Sequence, residues 1–212
     1  MDEPRCYWCE YAERGDPCRR EGVRDYARMA RAYAAYWERS IAGQPDEQDA
    51  WIGECVSELE REAPRAGLWF ILLALDAVRS AEILAILAAG PMENVLCHGG
   101  ADVIDAVEAI ARSSPKFRLL LSGCWGRNRM DEEVWRRAGA AVAKGPRFCG
   151  DARTLGHAGG GREATGNEIE TLLATSVIAD LGGSDAALAT IGLPMPGCDA
   201  ADAGSRTPHA RH

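Results

Sequence analysis

Hydrophobic residues recur every three or four positions between about residue 22 and residue 144, which is the spacing of amphipathic α-helices. In the first such stretch the apolar positions are Tyr26, Met29, Ala30, Tyr33, Trp37 and Ile41. No part of residues 22–144 alternates with the period of two that is typical of strands. The pattern therefore predicts an all-α domain over these residues.

Capping residues predict where several helices begin. Asp46, Ser80, Ser114 and Asp131 are the expected N-caps, because their side-chain oxygens can accept hydrogen bonds from the first free N–H groups. Pro64 suits the first turn of a further helix. That helix is apolar nearly all round at "LWFILLAL", so we expect it to lie at the centre of the fold.

The expected caps Asp46, Ser80 and Ser114 follow one another at intervals of 34 residues. This interval is typical of helix-hairpin repeats, in which stacked neighbours bury one another's apolar faces. We therefore predict stacked helix hairpins, either α-solenoid-like or as an irregular helical bundle. Burial of each large apolar side chain would stabilise such a fold by about 1.5–3 kcal/mol.

The composition divides the chain into five segments. Residues 1–21 form a Cys-rich N-terminal segment, and residues 22–144 form the helical domain. Residues 145–166 are expected to be a Gly-rich linker, and residues 167–181 an additional helix with Asn167 as its cap. Residues 182–212 are expected to be a flexible tail.

Charge is distributed unevenly along a chain whose net charge is −8. Residues 46–111 carry 13 acidic and 3 basic side chains, whereas residues 112–147 carry 3 acidic and 9 basic ones. A general nucleic-acid binder would present a basic field over one face, so nucleic acid is not the expected partner. The acidic segment instead favours a surface that binds another protein.

The sequence favours a cytoplasmic protein without a membrane span. Its first residues include no apolar stretch typical of a secretory signal. The most apolar stretch, residues 68–87, is interrupted by Asp76, Arg79 and Glu82, and each charge would cost about 2.5–3.5 kcal/mol at the centre of a membrane helix.

Three cysteines near the start, Cys6, Cys9 and Cys18, suggest a metal site. Cys6 and Cys9 form a C-x2-C pair, and the "RGDP" turn would return Cys18 towards it. Structural zinc needs a fourth ligand, which the spacing does not identify; the candidates are Cys55, Cys97, His98, Cys149 and His157. Zinc is accordingly the one cofactor considered, and buried thiols are the alternative interpretation.

A second candidate site lies in "LAAGPMENVLCHGGADVID", residues 87–105, around Glu93, His98 and Asp102. The structural interpretation explains the same residues. Gly90 would end one helix, Pro91 and Glu93 would begin the next, and Gly99 would end that helix. Cys97 and His98 would point about 100° apart on a helix, which is unfavourable for a nucleophile and its base.

The remaining motifs favour structural roles. The glycines of residues 156–166 lack the Lys-Ser/Thr pair of a phosphate-binding loop, and no common hydrolase, zinc-protease or dehydrogenase motif occurs. Asp102, Asp105 and Glu108 are interpreted as the exposed side of a helix, with Glu108 pairing with Arg112. We interpret the basic run as a solvated helix face; it comprises Arg112, Lys116, Arg118, Arg127, Arg129, Arg136 and Arg137.

The segment from about Trp51 to Trp135 resembles a family of bacterial helical domains to which no function has been assigned. The resemblance rests on an acidic helix containing a tryptophan, on the Gly-Pro-x-Glu turn at residues 90–93, on the His-Gly pair at residues 98–99, and on Phe117 and Trp125. It implies a compact helical fold and supplies no reaction.

Three functional hypotheses follow. The first is a non-enzymatic protein-interaction module, such as an immunity or antagonist protein, that binds its partner through a helical and partly acidic surface. The second is a zinc-containing nucleic-acid-associated or regulatory protein, which would use Cys6, Cys9 and Cys18 together with the basic run. The third is an enzyme with an unrecognised site near Glu93, His98 and Asp102.

Overall fold

The computed structural model describes residues 17–46, 50–143 and 145–194. The described chain is mostly helical, which confirms the predicted fold class. A small antiparallel hairpin of strands β1 (Arg19–Arg20) and β2 (Val23–Arg24) precedes the helices. The helices are α1 (Tyr26–Ile41), α2 (Trp51–Glu62), α3 (Pro64–Ala77), α4 (Ala81–Leu87), a π-helical turn (Ala88–Met92), α5 (Glu93–Ser113), α6 (Pro115–Ser122), α7 (Glu132–Val142), α8 (Leu155–Ala158), α9 (Gly166–Leu173), α10 (Val177–Asp180) and α11 (Ser184–Ile191).

Helix α3 lies at the centre of the molecule, as its apolar sequence predicts. Helices α1, α2, α5, α10 and α11 all pack against it. Its buried side chains include Leu68, Phe70, Ile71, Leu72 and Leu75, each with no exposed surface. Because helices from both ends of the chain share this central helix, the arrangement is an irregular bundle and not a linear stack in which each hairpin touches only its neighbours.

Most of the predicted helix starts are confirmed. Ser80, Ser114 and Asp131 each accept a hydrogen bond from a backbone N–H in the first turn of the following helix. Pro64 occupies the first turn of α3. Helix α2 begins at Trp51, with Ala50 at its N-cap position and no side-chain cap. Residues 47–49, which follow Asp46, lie outside the described residues, so the cap at Asp46 stays a prediction.

The predicted breaks at Gly90 and Pro91 are wrong, because the π-helical turn joins α4 directly to α5. Pro91 has no N–H to donate, and the π-helical turn accommodates it by adding a residue to the turn, with the Glu93 N–H donating to the Ala88 carbonyl. The predicted break at Gly99 is confirmed, because the backbone there is not helical (φ −133°, ψ 23°) and two helical stretches of α5 meet at a kink. A Cβ there would lie 2.3 Å from the Pro64 ring, so the glycine allows the start of α3 to approach α5.

The segment after α7 is more ordered than its glycine content suggests. Arg147 forms an isolated bridge with Glu163 across the expected linker, and Leu155 of α8 is fully buried. The helix expected over residues 167–181 is interrupted after Leu173, and Thr165, not Asn167, caps it through a capping box with Glu168.

Helix α11 occupies the beginning of the segment that we expected to be a flexible tail. Its Ala187, Leu188 and Ile191 are buried, and the helix packs on α3 and α5. The expectation is therefore wrong for residues 184–191, and residues 195–212 lie outside the described residues. Within the described ranges, no helix is both long enough and apolar enough to cross a membrane.

Candidate functional site

A narrow cleft of about 170 Å³ opens between α1, α2 and the π-helical turn. We call it the aromatic–acid cleft. The lining residues used below are Tyr33, Tyr36 and Trp37 of α1, Gly53 and Glu60 of α2, and Asn94 of α5. Small-molecule sites usually enclose about 300–1,000 Å³, so this cleft has room for a group no larger than one side chain.

Helix α1 supplies the aromatic wall of the cleft. Tyr33 and Trp37 are four residues apart and therefore lie on the same face of the helix. The Trp37 ring meets both tyrosines edge to face, with ring centroids 5.2 Å from Tyr36 and 6.3 Å from Tyr33. Such pairs add about 0.5–1.5 kcal/mol beyond their buried area, which keeps the wall ordered.

Glu60 of α2 places a carboxyl group in the cleft, and only 3% of the surface of this residue is exposed. Its Oε2 accepts a hydrogen bond from Asn94 Nδ2 at 2.8 Å. Burial raises the pKa of Glu60 to about 7, while the Asn94 hydrogen bond and the charge of Arg61 act in the opposite direction. Near neutral pH this group is therefore divided between its protonated and ionised forms.

The Tyr33 hydroxyl is the second buried polar group of the cleft. Tyr33 is 4% exposed, and its oxygen has no hydrogen bond of good geometry with the described residues; the Trp37 indole is the one described donor that interacts with it. Burial, and then the charge of Glu60, raise the pKa of Tyr33 far above its ordinary value, and this weak hydrogen bond from the Trp37 indole acts in the opposite direction. A buried polar group without a partner costs about 1–3 kcal/mol, and a ligand that reached it would recover part of that cost.

Asn94 connects the cleft to a network of charged side chains behind it. Its Oδ1 accepts a hydrogen bond from Arg129 Nη2 at 3.1 Å. Arg129 also pairs with Glu93, from Nη1 to Oε1 at 2.9 Å, and Glu93 accepts the backbone N–H of Trp125. The Asn94 amide is thereby held with its NH₂ towards Glu60 and its oxygen towards Arg129.

The structure separates the predicted residues Glu93, His98 and Asp102. Glu93 is buried and paired with Arg129, whereas His98 and Asp102 are exposed. Among the described residues no hydrogen bond or ion pair joins these three side chains. Burial raises the pKa of the neighbouring Cys97 thiol, which lowers its thiolate fraction. An enzyme site at this position stays a prediction.

The predicted zinc ligands Cys6 and Cys9 lie outside the described residues, and Cys18 is fully buried beside β1. The candidates for a fourth ligand are dispersed: Cys55 is buried in α2, Cys97 lies on α5, and His157 is exposed on α8. Within the described ranges no three His, Cys, Asp or Glu side chains come together as a metal site. Zinc binding at the N-terminal cysteines stays a prediction.

Most of the basic run is engaged within the protein. Arg127 pairs with Glu132, Arg136 with Glu133, and Arg137 with Asp105 and Glu108. The expected pair of Glu108 with Arg112 is thus replaced by a bidentate pair with Arg137, whose hydrogen bonds are the main cause of the lowered pKa of Glu108.

Lys116 differs most from the solvated face that we predicted, because its side chain has no exposed surface. Its Nζ donates to the carbonyls of Leu173 at 3.0 Å and Thr175 at 2.8 Å, with Asp76 Oδ1 at 3.9 Å. Burial lowers the pKa of Lys116 to about 8, although the charge of Asp76 opposes this. Lys116 joins α6 to the C-terminal helices.

The sequence model of a family of unknown function, DUF6869, matches residues 39–145, which is half of the chain. The chain belongs to this family. No curated protein and no solved structure matches it. The match includes Glu60, Asn94 and Arg129 and begins just after the aromatic residues of α1. The family therefore covers the polar side of the cleft and assigns it no function.

Sequence reasoning missed Glu60, although a signal was present. Glu60 follows Val56 by four residues and Ile52 by eight, so it falls on the apolar face of α2. A carboxylate on a buried face is uncommon and indicates either a partner or a site. Tyr33 and Trp37 were assigned to the core by the same periodicity, which cannot show that a cleft opens beside them.

Proposed function

We propose that the protein is a non-enzymatic protein-interaction module, which binds a partner protein through the aromatic–acid cleft and the partly acidic surface of α2. Immunity and antagonist proteins work in this way, and we propose that class. The observation that carries the proposal is the cleft itself, in which an ordered aromatic wall adjoins a buried carboxyl group and a hydroxyl without a hydrogen bond of good geometry to the described residues.

The surroundings of the cleft support recognition of another protein. Tyrosine and tryptophan are enriched in binding hot spots because they bury a large area at little entropic cost. Helix α2 also exposes Glu54 and Glu62, which add negative charge to the surface of this helix. Such charges steer association more than they strengthen it.

The chemistry of the cleft favours binding over catalysis. A pKa of about 7 would suit Glu60 as a general acid or base. The neighbouring hydroxyl does not complete a reactive pair, because the pKa of Tyr33 is raised and its phenolate is therefore disfavoured. The small volume would also admit only part of a substrate.

Affinity capture tests this proposal. Immobilised wild-type protein is compared with the Trp37→Ala variant on lysate from the native host, with bound proteins identified by mass spectrometry. We expect the specific partner to be reduced at least about tenfold on Trp37→Ala, because a central aromatic anchor contributes about 1.4 kcal/mol or more.

Trp125→Ala is the matched control, because Trp125 is an exposed tryptophan that lies outside the cleft, under Arg153. This variant should capture the same partner as wild type. If Trp37→Ala, still folded by circular dichroism, captures the wild-type set of proteins undiminished, the proposal is wrong.

A further inference from the structure

The unmatched polar atoms of the aromatic–acid cleft are suited to accept hydrogen bonds. The Glu60 carboxyl group receives one described hydrogen bond, from Asn94, although a carboxylate can accept several. The Tyr33 oxygen receives no hydrogen bond of good geometry from the described residues, and only a weak one from the Trp37 indole. Asn94 is already committed on both of its sides, to Glu60 and to Arg129. A complementary ligand therefore brings N–H donors.

The aromatic wall adds a preference for positive charge. The face of a tryptophan or tyrosine ring attracts a cation, and arginine is found there more often than lysine because its planar guanidinium also stacks. A guanidinium carries five N–H donors, which match the open acceptor positions of the Glu60 carboxylate and the Tyr33 oxygen. Glu60, once ionised, supplies the opposite charge.

The protein contains the same combination of groups elsewhere on its surface. The Arg153 guanidinium carbon lies 4.2 Å from the centre of the Trp125 ring, and Arg153 Nη2 donates to Asp151 Oδ2 at 2.6 Å. An arginine there occupies the space between a tryptophan and a carboxylate. In the aromatic–acid cleft the tryptophan and the carboxyl group are Trp37 and Glu60, and no arginine of the described chain lines it.

The size of the cleft limits what can enter. Water occupies about 30 Å³ per molecule in the liquid, so about 170 Å³ corresponds to a few waters. That space suits a guanidinium with part of its stem and excludes a nucleotide. Glu60 lines this space, so its carboxylate, once ionised, complements a cation there.

We infer that the aromatic–acid cleft binds the guanidinium group of an arginine presented by the partner protein, with its N–H groups donating to the Glu60 carboxylate and the Tyr33 oxygen and its plane against Trp37. This inference rests on the proposed function and specifies the chemistry of the partner. The charged and polar groups around Glu60 are Arg61 on its own helix, Tyr33 on α1 and Asn94 on α5.

A short arginine peptide tests the inference directly. The probe is acetyl-Gly-Arg-Gly-amide, titrated into the full-length protein near pH 8 so that Glu60 is ionised, with binding followed by NMR of the Trp37 indole and by calorimetry. We expect a Kd on the order of 1 mM for this single side chain. The citrulline peptide has the same shape without the charge and should bind at least about tenfold more weakly.

Two substitutions assign the binding to the cleft. Glu60→Gln should weaken the arginine peptide at least about tenfold while keeping an acceptor for Asn94, whereas Glu170→Gln makes the same charge change on the exposed surface of α9, outside the cleft, and should leave the Kd within about twofold. Gly53→Leu should abolish binding without disturbing the core, because a Cβ at Gly53 meets no atom within 4 Å.

Several results would overturn the inference. Equal binding of the citrulline peptide would show that charge is not recognised, and equal binding of the matching lysine peptide would show that the guanidinium is not. If the peptide does not bind at about 20 mM while capture of a partner still depends on Trp37, the inference of arginine binding is wrong and the proposed function still holds. Arginine binding without any captured partner would count against the proposed function instead.

Discussion

Lys116 and Glu60 are both buried ionisable side chains, yet their surroundings differ. Lys116 Nζ donates to two backbone carbonyls, of Leu173 and Thr175, and has Asp76 nearby. Glu60 receives one described hydrogen bond, from Asn94, and lies beside a tyrosine hydroxyl that receives none of good geometry from the described residues. Lys116 thus has its hydrogen-bond partners within the chain, whereas the Glu60 carboxylate can accept further hydrogen bonds from a ligand in the cleft.

The same physical effect acts at both sites with opposite sign. Burial disfavours the charged form, so it lowers the pKa of Lys116 to about 8 and raises the pKa of Glu60 to about 7. At Lys116 the cost is offset by contacts that hold the C-terminal helices on α6. At Glu60 it is offset only in part, which is the condition expected of a binding site that exchanges solvent for a ligand.

The largest effect is expected from removing the lysine. Lys116→Met should lower the free energy of unfolding by about 3 kcal/mol, because it leaves the Leu173 and Thr175 carbonyls without their charged donor. Chemical denaturation followed by circular dichroism measures the change. Protection of amides in residues 166–191 from hydrogen exchange should fall more than protection in α3.

Arg112→Met is the control for the lost positive charge, because Arg112 is exposed on the neighbouring α5. It should change the free energy of unfolding by no more than about 0.5 kcal/mol. If Lys116→Met costs as little as this control, Lys116 does not hold the C-terminal helices.

A smaller effect of opposite sign is expected at Glu60. The folded state keeps a proton on Glu60 between its ordinary pKa of 4.5 and about 7, whereas the unfolded state has lost it, so stability from this group falls as the pH rises through that window. Glu60→Gln has no such proton. It should unfold like wild type near pH 4.5 and be more stable by about 1–3 kcal/mol above pH 7.

Thermal unfolding of both proteins across this pH range measures the difference. Glu54→Gln, an exposed position on the same helix, should show no pH-dependent difference from wild type. A constant offset between Glu60→Gln and wild type at every pH would mean that Glu60 titrates as it does in the unfolded chain.

Local patterns explain why much of the fold follows from the sequence. Ser80, Ser114 and Asp131 cap their helices because the interaction involves only a side chain and the next few N–H groups. Helix α3 is central because apolar side chains surround it on nearly every side, so it has no polar face to turn towards solvent.

The predictions that were wrong depend on long-range contacts. Gly90 and Pro91 resemble a helix boundary, but the π-helical turn carries the helix through them. Lys116 resembles a surface residue, and its partners are 57 and 59 positions away in the sequence. The cleft also depends on a long-range contact. Glu60 accepts its hydrogen bond from Asn94, which lies 34 residues later in the sequence, and a pattern of neighbouring residues cannot predict such a contact.

The smallest effect is expected at Gly53, which lines the aromatic–acid cleft. Gly53 is in the first turn of α2, where an added Cβ meets nothing within 4 Å. Gly53→Ala should therefore raise the free energy of unfolding by about 0.5 kcal/mol, because alanine reduces the backbone entropy of the unfolded chain. Gly100→Ala is the matched control in a closed region, since its Cβ would lie 2.7 Å from Val134 Cγ1 and should destabilise the protein. Parallel urea titrations compare them. A loss of stability at Gly53 as large as at Gly100 would show that the space beside the cleft is filled, and the distinction between a closed lysine site and an open glutamate site would then fail.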